Sequence, residues 1–210
     1  MGKYKETAIS REVINSVGGQ TFCDWRGEKI VKMKITKNKS KTPAQVDQRT
    51  AFVRLVELAG MLGEAAALGF PKRPRKQDPE QALMHASPGV VTVDESGEVM
   101  VDYARIVCAK GPLLEPKVTL TAGEDNTLTF THPAQERGWR RESTDRLYAV
   151  LLEKELKEVQ VVELNTRSEA DPVTVTLEEG WKRENLCVYV FYRAAQGKKV
   201  SNSQYVEVKE

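Results

Sequence analysis

Histidine and cysteine are the side chains of this sequence best suited to nucleophilic catalysis, and there are few of them. The chain has two histidines, His85 and His132, and three cysteines, Cys23, Cys108 and Cys187. Cys187 and His132 are one conceivable dyad, but a reactive thiol needs an electropositive, partly exposed site. Each cysteine lies instead within an apolar, strand-like stretch. We therefore predict buried free thiols and no catalytic residues.

Metal sites and phosphate-binding loops are not indicated either. No His or Cys residues cluster at zinc-site spacing, and scattered carboxylates are the ordinary surface of a chain with 30% charged residues. The pair Gly18-Gly19 is followed by Gln20-Thr21 rather than by Gly-Lys-Ser/Thr. We predict no metal site and no cofactor, and we expect that the protein is not an enzyme.

Lysine and arginine carry more functional content, because they concentrate in the first part of the chain. Residues 1–76 hold 16 Lys and Arg against 7 Asp and Glu, a net charge of +9, and the remainder carries −7. Such a basic surface attracts acidic partners or nucleic-acid phosphates. The candidate contact residues are Lys32, Lys34, Lys37, Lys39, Lys41, Arg49, Lys72 and Arg73.

Three interpretations of this basic surface remain open. The lysines are solvated faces of strands and loops, or they bind nucleic acid with Trp25 and Phe22 stacking on bases, or they attract an acidic protein. Lysine predominates over arginine, which suits diffuse charge better than base recognition. We expect a non-catalytic binding or assembly module acting through protein–protein contacts, with nucleic-acid binding by the basic N-terminal half as the alternative.

Trp139 is a second candidate for recognition. It follows Gly138 and precedes Arg140 and Arg141 in a predicted loop between strands. An exposed tryptophan there would be a recognition anchor. We expect instead that the ring folds back over the end of a β-sandwich, because large apolar side chains are mostly buried.

The longest predicted helix runs from Thr42 to Gly69. Thr42 caps it, Pro43 suits its first position, and Gln45 completes a capping box. Apolar residues recur at three- and four-residue steps, which predicts a buried face. The first such row is Phe52, Val56, Ala59 and Leu62, and an adjacent row is Ala51, Leu55, Leu58 and Leu62. Two internal glycines, Gly60 and Gly63, allow close packing or a bend.

Three stretches before this helix are predicted to form a β-meander, namely residues 12–17, 20–25 and 29–35. In the third strand Val31, Met33 and Ile35 alternate with Lys32 and Lys34, which predicts that the apolar residues face the core. The apolar face of that meander is too small to be stable alone, so the helix is expected to cover it. After the helix we predict a second short helix over residues 78–86, a hairpin of residues 90–93 and 100–103, and a continuing strand pattern at 104–109.

Seven further stretches have strand patterns, with turn residues between them. They are residues 118–121, 127–130, 147–152, 159–164, 173–177, 186–192 and 205–208. The last of them follows Val200-Ser201-Asn202-Ser203, whose small polar side chains are expected to satisfy backbone groups along an edge. Seven strands in roughly 95 residues predict an antiparallel sandwich of immunoglobulin or fibronectin type.

The predicted fold is therefore mostly β, of the α+β class. An N-terminal β-meander packs on one long helix, and a C-terminal immunoglobulin- or fibronectin-like β-sandwich follows. The predicted domains are residues 1–110 and 111–210. No apolar run is long enough to cross a bilayer, and the first residues lack the apolar stretch of a secretory signal. We expect no membrane span and a cytoplasmic protein or a mature chain.

Motifs along nearly the whole chain resemble those of one family. They are the turns Gly18-Gly19 and Trp25-Arg26-Gly27, the helix start Thr42-Pro43-Ala44-Gln45 with Gln48-Arg49 and Phe52, Val101-Asp102-Tyr103 with Lys110-Gly111-Pro112-Leu113, and Val200-Ser201-Asn202-Ser203 with Tyr205. The chain resembles a group of proteins of about this length, 210 residues, from Bacteroides-type bacteria, classed as a domain of unknown function. That resemblance implies no catalytic residue. Separately, the C-terminal strand pattern resembles fibronectin type III domains.

Overall fold

The computed structural model describes residues 2–3, 15–25, 27–34, 41–74, 77–124 and 126–208. By its internal contacts the chain divides into two compact units, Met1–Thr42 and Pro43–Glu210, here called unit 1 and unit 2. The described residues are mostly β, as predicted, and their strands pair antiparallel in several sheets accompanied by α-helices.

Unit 1 contains a four-stranded antiparallel sheet. Its strands are β1 (Gly2–Lys3), β2 (Asn15–Val17), β3 (Gln20–Trp25) and β4 (Glu28–Met33), in the order β1-β4-β3-β2. The predicted meander is confirmed as β2-β3-β4, and β1 extends it at one edge. The predicted strand residues 12–14 and Ile35 lie outside the described residues.

The buried side of β4 differs from the prediction. Ile30 is buried, whereas Met33 is 84% exposed, so the prediction that Met33 faces the core is wrong. Successive residues of a strand point to opposite faces. Because Ile30 and Val31 are adjacent and both apolar, the sequence pattern is compatible with burial of either face of β4. The pattern therefore identified the strand without fixing its inner face.

Unit 2 begins with the helical segment that was predicted as one helix. The structure has two consecutive helices, α1 (Pro43–Met61) and α2 (Gly63–Gly69), separated by Leu62. Glycine lowers the stability of a helix interior by about 1 kcal/mol relative to Ala, and the break falls beside Gly63. The ends of the segment agree with the prediction.

The two apolar rows of α1 have different environments. Ala51 and Leu55 are partly buried against a core that includes Leu58, so the second row faces the interior. Phe52 and Val56 are 57% and 45% exposed, and the prediction that both are buried is wrong. Helical periodicity alone does not distinguish two adjacent apolar rows. Whether α1 also covers the meander of unit 1 stays a prediction.

The next elements match the prediction in part. α3 spans Pro79–Ala86, and β5 (Val91–Val93) pairs with β6 (Val99–Val101) as a hairpin. α1 packs on α3 and β5. Residues 103–105 form a 3-10 turn, and the strand predicted over 104–109 is wrong. The backbone there bonds to side chains instead, because the Cys108 N–H donates to the Ser203 Oγ at 2.9 Å.

Two antiparallel sheets fill the remainder, and all seven strands lie at the predicted positions. They are β7 (Thr119–Ala122), β8 (Thr127–Thr131), β9 (Arg146–Glu153), β10 (Glu158–Thr166), β11 (Val173–Thr176), β12 (Leu186–Arg193) and β13 (Gln204–Val206). One sheet has the order β10-β9-β12-β13, and the other has the order β11-β8-β7.

The central strands of the four-stranded sheet are buried on both faces. In β12, Val190 and Tyr192 point into a core shared with Phe130 of the other sheet. Tyr189 and Phe191 point into a second core, which contains the apolar residues of the helices and of the β5–β6 hairpin. Double burial explains the continuous apolar runs of β9 and β12. The second core includes residues from both sides of position 110, and the predicted domain boundary there stays a prediction.

Candidate functional site

A pocket of about 570 Å³ in unit 2 lies between two tight turns and the connector that follows α2. We call it the loop pocket. One turn is formed by residues 138–141, and the other joins β12 to Val200 through residues 194–199. Five cationic side chains line the pocket, namely Lys72, Arg140, Arg141, Lys198 and Lys199. Loops carried on a rigid sheet are the usual location of binding residues.

Trp139 is at the tip of the first turn, which two backbone hydrogen bonds close. The Gly138 N–H donates to the Arg141 carbonyl at 3.0 Å, and the Arg141 N–H donates back at 3.3 Å. Trp139 is 78% exposed, so the prediction that it folds back over the sheets is wrong. The buried tryptophan of this part of the chain is Trp181, which is 4% exposed and packs in the core that contains Phe130 and Val190.

Arg140 fixes the surroundings of the tryptophan ring. Its guanidinium lies 5.0 Å from the ring centroid of Trp139, a distance at which a cation attracts the ring face. Its Nε also donates to the Pro112 carbonyl. Arg140 has a φ of 58°, in the left-handed region that side chains other than glycine rarely adopt. The turn therefore holds an exposed aromatic ring beside a cation.

Arg167 anchors the segment that carries this turn. The side chain is fully buried, and its guanidinium lies 3.6 Å from the ring centroid of Tyr192. Nε donates to Asp145 Oδ2 at 3.2 Å, Nη1 to Gln135 Oε1 at 2.9 Å, and Nη2 to the Leu114 carbonyl at 2.9 Å. Burial lowers the pKa of Arg167, and the nearby Tyr192 and Asp145 oppose that shift. No sequence pattern indicated this buried cation.

His132 and Cys187 do not form a dyad. His132 is 3% exposed, and its Nε2 lies 2.7 Å from Asn165 Oδ1 while its Nδ1 lies 3.4 Å from the Tyr192 hydroxyl. Cys187 points from β12 into the core with the helices, whereas Tyr192 points from the opposite face. Burial also raises the pKa of the Cys187 thiol. Cys108 is buried like Cys187, but Cys23 is only partly buried, which corrects the prediction for that cysteine.

The cations of the loop pocket exceed its carboxylates. Only Glu142 and Asp145 contribute negative side chains among the described lining residues, and both have partners. Asp145 pairs with Arg167, and Glu142 Oε2 lies 3.2 Å from Arg137 Nε. No carboxylate of the described chain forms an ion pair with Lys72 or with the lysines of the second turn. The pocket is therefore positively charged.

Two of the predicted contact residues lie near one another. Lys72 and Arg73 both line a shallower pocket of about 360 Å³ with His85 and Lys110, and Lys72 also lines the loop pocket. Arg73 orders the connector itself, since its Nη1 donates to the Phe70 carbonyl at 3.0 Å and its Nε to that of Gln77. Lys72 is thus the predicted residue that belongs to the loop pocket.

The other predicted contact residues lie elsewhere. Lys32, Lys34 and Lys41 are exposed in unit 1, and Arg49 is an exposed residue of α1 that lines neither pocket. Lys37 and Lys39 lie outside the described residues, as does the side chain of Trp25, and Phe22 is partly buried in β3. Their common action as one basic surface stays a prediction.

The candidate contact residues predicted from the sequence did not include three cations that lie within the two turns. Arg141, Lys198 and Lys199 belong to the part of the chain with net negative charge. A net charge summed over residues 1–76 and over the remainder therefore does not reveal them. A more local signal was present, because glycine precedes paired cations in Gly138-Trp139-Arg140-Arg141 and in Gly197-Lys198-Lys199. Glycine favours tight turns, and turns present their side chains to solvent.

Two of the motifs that carry the family resemblance, Lys110-Gly111-Pro112-Leu113 and Val200-Ser201-Asn202-Ser203, meet at a structural junction. Asn202 Oδ1 accepts from the Gly111 N–H at 3.2 Å, and Ser203 Oγ accepts from the Cys108 N–H. A Cβ on Gly111 would lie 2.3 Å from the Val200 carbonyl oxygen, so these two segments approach as closely as backbone allows. The prediction that small polar side chains satisfy backbone groups here is confirmed.

The described residues contain neither a metal-binding cluster nor a membrane-spanning helix. In that part of the chain, no three His, Cys, Asp or Glu side chains are grouped to hold a metal ion. Within the same ranges, no helix is both long and apolar enough to cross a bilayer.

Comparison with known proteins identifies a family. None of the curated proteins compared with the chain matches it. Residues 9–207 match the model of a family described as a family of unknown function, DUF6266. This match extends over nearly the whole chain, as do the motifs on which the resemblance rested. The chain therefore belongs to DUF6266, a family of unknown function.

Proposed function

We propose that this protein is a non-catalytic binding module that docks a protein partner at the loop pocket. The observation that carries the proposal is Trp139, which is 78% exposed at the tip of a hydrogen-bonded turn, between the pocket-lining residues Gly138 and Arg140. Tryptophan and arginine are enriched among the few residues that supply most of the energy of protein interfaces. A fixed aromatic ring also loses little conformational entropy on binding.

The proposed scaffold is a fibronectin type III- or immunoglobulin-like sandwich. Its support is the pair of antiparallel sheets, with four and three strands, that share one core containing Phe130 and Val190. In such sandwiches the binding residues lie on loops at one end of the sheets. The turns at 138–141 and 194–199 would play that part here.

The absence of catalysis is part of the proposal. Its support is the placement of the most reactive side chains, because Cys187 and the His132–Tyr192 pair lie on opposite faces of the four-stranded sheet. Burial raises the pKa of the Cys187 and Cys108 thiols, which disfavours the nucleophilic thiolate.

The alternative is nucleic-acid binding through the basic N-terminal half. The observation in its favour is the exposure of Lys32, Lys34 and Lys41 in unit 1. Binding of that kind weakens steeply with added salt, since each phosphate contact releases counterions.

A peptide-display selection tests the proposed function. A library of short random peptides is selected on the wild-type chain, and enriched peptides are assayed on Trp139→Ala and on Leu156→Ala. Leu156 is 50% exposed in the turn between β9 and β10 and does not line the loop pocket, so its truncation is the matched control. We expect enriched peptides to lose about tenfold or more in affinity on Trp139→Ala and to be unaffected by Leu156→Ala.

Two results would contradict the proposed function. The first is a selection that enriches no peptide, or peptides indifferent to Trp139→Ala. The second is tight binding of a single-stranded nucleic acid of about 20 nucleotides, a length that exceeds the number of nucleotides one small domain usually covers. If such binding falls steeply with salt and is lost when Lys32, Lys34, Lys37 and Lys39 become Glu, the nucleic-acid alternative replaces the proposal.

A further inference from the structure

The charge of the loop pocket limits the chemistry of its ligand. Five cationic side chains line it, and its two carboxylates pair with Arg167 and Arg137 rather than with those cations. A ligand without negative charge would leave Lys72, Lys198 and Lys199 unpaired when it covered them. Desolvating an unpaired charge costs free energy, so a neutral or cationic segment is disfavoured.

Arg141 contributes a donor that has no acceptor. A Cβ on Gly138 would lie 2.6 Å from Arg141 Nε, so the glycine is what lets this guanidinium lie against the turn. The Nε is buried and has no hydrogen-bond partner among the described residues. Guanidinium groups pair with carboxylates through two parallel N–H···O bonds. Because this Nε is covered, what a ligand would meet is the positive charge of the guanidinium, which forms no ion pair with a described carboxylate.

The wall of the pocket favours a peptide over a nucleic-acid strand. Glu142 lines it, and a nucleic-acid strand carries a phosphate on every nucleotide. An extended peptide presents every second side chain on one face, roughly 6.6 Å apart, so its sequence can place carboxylates toward the cations and a neutral residue at the position that faces Glu142. Leu113 and Ala194 also line the pocket, and they provide apolar contacts that a sugar-phosphate chain does not use.

We infer that the loop pocket binds an acidic peptide segment in an extended conformation, with its carboxylates on Lys72, Arg141, Lys198 and Lys199 and an apolar side chain against Trp139. This inference rests on the proposed function and adds the chemistry of the partner. Charge complementarity sets the orientation of the segment and its rate of association. The contact with Trp139 supplies a large apolar area at the edge of the site.

A pair of labelled peptides tests the inference. The first carries Glu at alternate positions with one central Leu, and the second has Gln in place of every Glu. Binding is followed by fluorescence anisotropy and by tryptophan emission. The chain has three tryptophans, and the variant Trp139→Phe shows how much of the emission change comes from Trp139, next to the pocket.

We expect the Glu peptide to bind and the Gln peptide to bind at least about tenfold more weakly, with the Glu peptide losing affinity as salt screens the charges. The double variant Lys198→Glu with Lys199→Glu should weaken binding of the Glu peptide about tenfold or more, because attractive contacts become repulsive. Lys117→Glu with Lys157→Glu is the matched control. Both lysines are exposed and neither lines the pocket, so the same change in net charge should leave affinity nearly unchanged.

The inference fails if the Gln peptide binds as well as the Glu peptide, if the two double variants lose affinity equally, or if the Glu peptide does not bind. It also fails if an oligonucleotide of matched charge binds the pocket more tightly than the Glu peptide. Display-selected peptides that depend on Trp139 but lack acidic residues would preserve the proposed function and refute this inference. A selection that enriches nothing would refute the proposed function itself.

Discussion

The buried ion pair of Arg167 and Asp145 provides a quantitative test of how the loop pocket is supported. The two side chains are 0% and 1% exposed, with 3.2 Å between Arg167 Nε and Asp145 Oδ2. Arg146 and Glu163 form a shorter pair of 2.7 Å, but their side chains are 50% and 42% exposed. The two pairs therefore separate the effect of burial from the effect of distance.

Substitution of Arg167 by Met removes the charge and the three hydrogen bonds while keeping most of the side-chain volume. Asp145 is then a buried carboxylate without its partner, and breaking a buried pair in this way costs about 3–5 kcal/mol. For Arg146→Met we expect about 0.2–1 kcal/mol, because water solvates the remaining charge. Burial should thus outweigh the shorter distance.

Urea unfolding measures both values from the change in midpoint at constant slope. The double variant Arg167→Met with Asp145→Asn should recover part of the loss, because it removes the unpaired charge. The reasoning is refuted if Arg167→Met costs no more than Arg146→Met. It is also refuted if the double variant is less stable than the sum of the two single variants predicts.

Two further predictions concern packing and thiol chemistry. Gly69→Ala should destabilise the fold by roughly 1–3 kcal/mol, because the new Cβ would lie 2.0 Å from the Cys108 carbonyl oxygen. Gly60→Ala should stabilise the fold by about 0.4–1 kcal/mol in the same urea assay, because nothing lies within 4 Å of its new Cβ. The opposite ranking of the two variants would contradict the described packing. Burial raises the pKa of the Cys108 and Cys187 thiols and keeps them protonated and covered at mildly alkaline pH, so a thiol reagent should modify only the partly exposed Cys23 until urea is added. Rapid modification of all three thiols in the folded protein would show that the described burial is wrong.

The strand positions of unit 2 followed from local chemistry. In β9 and β12 continuous apolar residues lie between turn residues, and a strand buried on both faces requires that composition. The helix start at Pro43 was predictable for the same reason, because capping depends on neighbours in sequence. The choice between the two apolar rows of α1, and between the two faces of β4, was not decided locally, because it depends on contacts with residues distant in sequence.

The candidate site was less predictable, because its residues are far apart in sequence. The loop pocket joins Lys72 to residues 138–141 and 194–199, and no spacing rule links those segments. Arg167 was unremarkable in the sequence, because its role depends on Leu114, Gln135 and Asp145 converging around it. The exposure of Trp139 was predicted wrongly because the burial preference of tryptophan is an average over many sites. Here the tight turn places the side chain in solvent.

The central claim is that the partner binds at the loop pocket rather than at the basic surface of unit 1. The most direct measurement compares the affinity of the Glu-containing peptide for two charge-reversed variants, Lys198→Glu with Lys199→Glu and Lys32→Glu with Lys34→Glu. Both variants change net charge equally, and all four lysines are exposed. The claim predicts that affinity falls about tenfold or more in the first variant and stays near the wild-type value in the second. Loss of affinity only in the second variant would contradict it.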